Sequence, residues 1–172
     1  MIELSVIRDL VTIFGVVAGF SYYVLTVRNA QRNQQQQLET RQAQLFMPIH
    51  SRLLDEEFTK KFMDIIFSME WKDYEDYVEN YSLASNPKAA VTVTVWGIYL
   101  EGIGVLVKRG LIDASFVDDL MSGHILRYWE KIGPVIKKRR EELNWPQYFE
   151  HVEYLYNKIK PIVEEQHPEL KT

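Results

Sequence analysis

Glu101 stands where a charge is least expected. It is the one charged residue in the segment Ala89–Val107, AAVTVTVWGIYLEGIGVLV. If that segment is helical, Gly97 four residues before it and Gly104 three after it share its face. Two glycines on one face would let a neighbouring element close tightly over the carboxylate. A carboxylate so enclosed needs a partner, because an unpaired buried charge is strongly destabilising. Arg127 is the candidate partner, since it lies within the apolar series Ile125, Trp129, Ile132 and Ile136. Two chemistries would fit. One is a proton-handling or ligand-binding carboxylate with a perturbed pKa. The other, the expected one, is a structural ion pair that locks two helices. Glu101, Arg127 and Trp129 therefore mark the place to look for a ligand pocket.

The remaining groups make weaker cases. The histidines are His50, His124, His151 and His167, and no His-Glu-x-x-His motif is present. Glu164-Glu165-Gln166-His167 has the Glu-x-x-His spacing of carboxylate-bridged metal helices, which need a second copy and further glutamates. No metal or other cofactor is expected. His124 follows Gly123 and is expected in the first turn of a helix. Lys137, Lys138, Arg139 and Arg140 form a basic run followed by Glu141 and Glu142. That mixture suits a solvated helix face, with contact to lipid headgroups as the alternative. The sequence holds no glycine-rich phosphate loop, no Gly-x-Ser-x-Gly elbow and no kinase or nuclease signature. With no cysteine, a disulfide framework, a thiolate nucleophile and a cysteine-ligated metal are excluded. A net charge of -4 and a pI near 5.6 argue against a nucleic-acid partner.

These groups must be positioned by elements of two kinds. Leu10–Val27, LVTIFGVVAGFSYYVLTV, is uncharged between Asp9 and Arg28. As a helix it covers about 27 Å, close to the hydrocarbon core of a bilayer. Tyr22 and Tyr23 lie near its downstream boundary, where amphipathic rings are favoured. A signal peptide would want a basic start and a small-x-small cleavage site. The segment instead opens on Met-Ile-Glu and closes on Val-Arg-Asn-Ala-Gln-Arg, so an uncleaved anchor is expected. Arg28, Arg32 and Arg41 follow the segment and only Arg8 precedes it, which predicts a short outer N-terminus and a cytoplasmic body. Gly15 and Gly19 form a small-xxx-small motif that lets two membrane helices approach. A homodimer or a membrane-protein partner would dock there. Seven glutamines between Gln31 and Gln44 read as a polar helical stalk, with a disordered tether as the alternative.

Charge divides the chain. Residues 28–52 carry +3 and residues 53–172 carry -6. Arg28 and Arg32 could touch anionic headgroups or only set topology. The expected organisation is an outer N-terminus over 1–9, a transmembrane helix over 10–27, a stalk over 28–45 and a bundle of about five helices over 46–172: an all-α protein. Asn86-Pro87 reads as a helix start, and Lys108-Arg109-Gly110 as the end of that helix. Asp113 would cap a short helix over 114–121, broken at Gly123. A helix over about 124–142 would be disturbed at Gly133-Pro134, and a last one would begin near Trp145-Pro146. The segment 88–109 is apolar enough to suggest a second membrane span, and Val91, Val93 and Val95 alternate as in a strand. Glu101 opposes the span, so a buried helix of the bundle is preferred.

The stretch Leu100-Glu101-Gly-Ile-Gly-Val-Leu-Val-Lys-Arg-Gly110-Leu-Ile-Asp113, with Gly123-His-Ile-Leu-Arg-Tyr-Trp129-Glu130 and Pro134-Val-Ile, resembles an uncharacterised prokaryotic family. That family is the domain of unknown function numbered four thousand seven hundred and sixty. The likeness is strongest over residues 96–140. Glu101, Gly104, Gly110, Arg127 or Tyr128, and Trp129-Glu130 occupy its motif, with the arginine displaced by one. The resemblance implies a membrane helix ahead of a helical cytoplasmic body. It implies no activity.

The function expected from these features is a non-catalytic, membrane-anchored interaction module, an accessory or scaffold subunit of a membrane complex. The alternative is a membrane-tethered ligand- or lipid-sensing domain with a pocket near Glu101, Arg127 and Trp129. An enzyme of unrecognised type ranks third.

Overall fold

The computed structural model describes residues 4–170, so the ends of the expected tail (1–3) and of the expected body (171–172) lie outside the described residues. Every element among the described residues is helical. The chain divides into two units, residues 1–44 and 45–172.

The first unit is most of one long helix, α1 (Leu4–Ser51). Between Leu4 and Thr40 no side chain is buried. The glutamine-rich stretch is helical throughout, as glutamine's unbranched chain allows. Thr12 and Thr26 return their hydroxyls to the carbonyls of Arg8 and Tyr22, so they expose no unpaired donor on the helix surface. The helix runs on through Pro48 to Ser51, and its buried residue, Phe46, belongs to the second unit.

The second unit is a helical bundle: α2 (Glu56–Met63) with a π-helical turn at Asp64–Ser68, α3 (Tyr74–Tyr81), α4 (Pro87–Lys108), α5 (Ala114–Leu143) and α6 (Glu150–Gln166). Side-chain caps set most of its starts. Asp55 accepts from the Phe58 N–H, Asp73 from Asp76, Asn86 from Ala89 and Asp113 from Ser115. The Ser115 hydrogen bonds hold the Asp113 carboxyl below its ordinary pKa. Helix α4 ends on Gly110 at φ +66°, with the Gly110 N–H donating to the Val107 carbonyl and the Leu111 N–H to Leu106. This is the Schellman arrangement, which glycine adopts without a Cβ clash.

Helix α4 lies at the centre. Trp96, fully buried, stacks on Phe58 at 4.3 Å and on His124 at 6.0 Å and donates its indole N–H to the Phe58 carbonyl. The Tyr128 hydroxyl, also buried, donates to the Val93 carbonyl at 2.8 Å. Val91, Val93 and Val95 are helical rather than extended, since the Asn86-Pro87 start and the Trp96 and Leu100 packing outweigh their β preference.

Three local expectations are corrected. Helix α5 (Ala114–Leu143) is two helical segments joined at a kink: the break expected at Gly123 falls at Met121 (φ −154°, ψ 18°), and Gly123 itself is helical. The second segment passes through Gly133-Pro134 without interruption. At Gly133 the Trp129 indole folds back over the helix, and an added Cβ would come within 2.9 Å of it. Helix α6 begins at Glu150, and Trp145-Pro146 belong to the turn before it.

Candidate functional site

The start of α6 lacks what the other helix starts have. Its capping position is Phe149, which offers no side-chain oxygen and sits in the left-handed region at φ +52°. That conformation costs an L-residue about 1–2 kcal/mol. The first-turn N–H groups of α6 are therefore satisfied from another helix. Glu101 of α4 supplies the acceptor. Its Oε2 takes the N–H of His151 at 3.0 Å and of Val152 at 2.9 Å. Its Oε1 meets His151 Nδ1 at 2.8 Å. One carboxylate thus caps a helix start that lies 50 residues away in sequence. Its negative charge lies against the positive end of the α6 dipole, the favourable sign.

The two glycines on the Glu101 face permit this approach. At Gly104 an added Cβ would collide with the His151 carbonyl, reaching 2.7 Å from its carbon. At Gly97 it would lie 2.7 Å from the Phe149 ring. Bare backbone at Gly104 lets α6 pack onto α4 at backbone distance, and at Gly97 it makes room for the Phe149 ring and the Tyr128 hydroxyl.

Arg127 is not the partner of Glu101. It lines a cleft of about 530 Å³ with Ser122, Glu130, Lys160, Glu164 and His167, at the far end of α6. The pairing fails because register along α5, not proximity in the apolar series, decides which residue meets α4. Trp129 lies elsewhere again, buried beneath Lys137 (5.8 Å) and Arg140 (5.9 Å) and beside Tyr156. The three residues expected around one pocket occupy three places.

The basic run divides in the same way. Arg140 points inward, with its side chain 15 % exposed. It ion-pairs with Glu153 and donates to the carbonyls of Tyr148 and Phe149. Those bonds hold the turn from outside while Glu101 holds the helix start beyond it. Arg140 is thereby withdrawn from any headgroup role. Lys137 reaches Glu153 at 3.6 Å, Lys138 reaches Glu141 at 3.2 Å, and Arg139 makes no hydrogen bond or ion pair among the described residues. No group of three or more metal-ligating side chains occurs among the described residues.

His151 and Lys108 are the functional residues that sequence reasoning missed. The His151 ring sets Nδ1 against Glu101 Oε1 and Nε2 3.4 Å from Lys108 Nζ and 3.8 Å from Glu150 Oε1. A carboxylate-oriented imidazole is the base half of a nucleophilic device. Here its outer nitrogen is engaged by an ammonium, and among the described residues no hydroxyl is bonded to it. The arrangement works as a clamp. The available signal was the missing cap: a helix start reading Gln147-Tyr148-Phe149 has no Ser, Thr, Asp or Asn to accept its N–H groups.

The clamp and the turn it holds lie within one stretch of known sequence type. Residues 98–159 match the family model of a domain of unknown function, DUF4760. The matched stretch includes Glu101, Gly104, Arg140, His151 and Glu153, so the carboxylate, the helix start it caps and the arginine brace all fall inside the match. No curated protein and no solved structure matches the chain.

Proposed function

We propose that the chain is a single-pass membrane protein whose helical body is a non-catalytic interaction module, an accessory or scaffold subunit of a membrane-associated complex. One observation carries this reading: the apolar stretch of α1 is exposed along its length among the described residues. Its most apolar window has a mean hydropathy of 1.9 and is 0 % buried. Phe14, Val16, Val17 and Phe20 are 57–76 % exposed. Apolar surface gains about 25 cal/mol per Å² when removed from water, so a bare run of this length calls for lipid. The flanking arginines Arg28 and Arg32 favour a cytoplasmic body and an outer N-terminus. Gly15 and Gly19 have nothing within 4 Å of an added Cβ, which leaves that face free for a second membrane helix.

The chain's lack of cysteine makes the test direct. Single cysteines at Ser5 and Lys158 are labelled in intact cells with a membrane-impermeant maleimide. Ser5→Cys is expected to react and Lys158→Cys only after lysis. The reverse pattern would invert the topology, and loss of both from the membrane pellet would remove the anchor. A mild-detergent pull-down through a C-terminal tag then asks for a stoichiometric membrane partner. Gly15→Ile with Gly19→Ile is expected to reduce its recovery.

A further inference from the structure

A cavity of about 320 Å³ lies between α3, α4 and α5, with Tyr148 and Phe149 of the turn before α6 closing one side. Its walls are mainly apolar, from Val93, Ile132, Val135 and Ile136, and Leu83 and Val91 stand at its exposed rim. Among the polar groups of that wall, Arg139 and the Tyr77 hydroxyl make no hydrogen bond among the described residues. Arg139 is half-buried and makes no hydrogen bond or ion pair among the described residues, although its neighbours Lys138 and Arg140 both do. Tyr77 is 2 % exposed, and its hydroxyl has no hydrogen-bond partner among the described residues. That hydroxyl is not sealed in protein either, because Asp118 Oδ1 is the one fully enclosed side-chain atom without a partner there. It therefore opens into the cavity. Arg139 lines the same cavity as Tyr77 and Tyr148, and its charge opposes the rise that burial imposes on the pKa of both hydroxyls. A buried hydroxyl and a guanidinium without protein partners beside apolar walls are the kind of polar groups that fix a ligand in an apolar pocket.

We propose that this cavity binds a small carboxylate amphiphile, its acyl chain against Val93, Ile132 and Val135 and its carboxylate on Arg139 and the Tyr77 hydroxyl. The guanidinium fork matches a planar carboxylate through two parallel hydrogen bonds. One positive charge offsets a monoanion and falls short of a phosphate dianion. Ligand pockets run from about 300 to 1,000 Å³, so this one suits a short or medium single chain rather than a two-chain lipid. The inference does not depend on the membrane anchor.

The full chain in nanodiscs is titrated with decanoate labelled with ¹³C at the carboxyl, read by NMR, with empty nanodiscs as the blank. Saturable binding of one decanoate per chain is expected. Arg139→Gln should weaken it at least tenfold and Tyr77→Phe severalfold, with the thermal unfolding of both variants unchanged. Ala90→Phe, which fills the cavity without touching Arg139, should abolish it. Decanol should bind more weakly than decanoate. Signal no greater than in empty nanodiscs, or equal binding by Arg139→Gln, would overturn the site. Tighter binding of decyl phosphate than of decanoate would overturn the carboxylate assignment.

Discussion

Helices α1 and α4 pass the same test of length and apolarity, with windows of mean hydropathy 1.9 and 1.7. Their surroundings differ completely. The window in α1 is 0 % buried within the chain and that in α4 is 44 % buried. In α1 the small residues Gly15 and Gly19 face open space; in α4 the equivalent pair, Gly97 and Gly104, is filled by Phe149 and by the His151 backbone. The same device for close helix approach is thus already used inside the chain in one helix and unused in the other. Glu101 sharpens the contrast. The α1 window has no charge, whereas α4 carries a carboxylate that the α6 terminus satisfies completely.

Arginine substitution would break the comparison most severely. In α1, Val16→Arg with Val17→Arg should cost about 2.5–3.5 kcal/mol per residue on insertion. The protein should leave the membrane fraction while the bundle keeps its unfolding temperature. In α4, Val93→Arg should leave location unchanged and unfold the body, because Val93 is 6 % exposed. Fractionation and circular dichroism on the two variants separate these outcomes, and a swapped pattern would exchange the roles of the helices.

A milder intervention targets the glycine contact. Gly104→Ala should destabilise the body by about 1–3 kcal/mol through overpacking against His151, whereas Gly15→Ala should leave its denaturant midpoint where it is. Glu101→Gln should cost a similar amount, about 1–3 kcal/mol, because its amide NH₂ would face N–H donors. Combined with His151→Ala it should cost less than the sum of the two single changes, since both remove one contact.

The smallest effect is a pH dependence confined to the body. Burial, and then the charges of Arg127 and His50, hold the His124 pKa below its ordinary 6.5. The folded state therefore prefers neutral His124. That preference is fully present above pH 6.5 and is lost as pH falls from 6.5 through the lowered folded value. Replacing the stacked ring by His124→Phe should flatten this part of the curve of unfolding temperature against pH. An unchanged slope would assign it to other groups.

Much of the fold was legible because its signals are local. Asn86-Pro87, Asp113 and Arg109-Gly110 each act within one turn, so the sequence reveals them directly. The uncharged run Leu10–Val27 and the shared face of Gly97, Glu101 and Gly104 follow from helical periodicity alone. Helix α5 was harder. The break expected at Gly123 falls at Met121, whereas Pro134, which weakens a helix locally, is carried through by the packing of Tyr128, Trp129, Ile132 and Ile136 on both sides.

The amino-acid sequence by itself determined an all-helical chain with an apolar first segment, the caps of its helices, and a carboxylate in need of a partner. Only the tertiary structure decided that the partner is the start of α6 and not Arg127, that Arg140 braces a turn instead of facing solvent, and that Tyr77 and Arg139 meet at one cavity. Caps and periodicity depend on residues a turn apart. The contact of Glu101 with His151 depends on where two helices far apart in sequence come to rest, which is set by the packing of the whole core and is written in no local pattern.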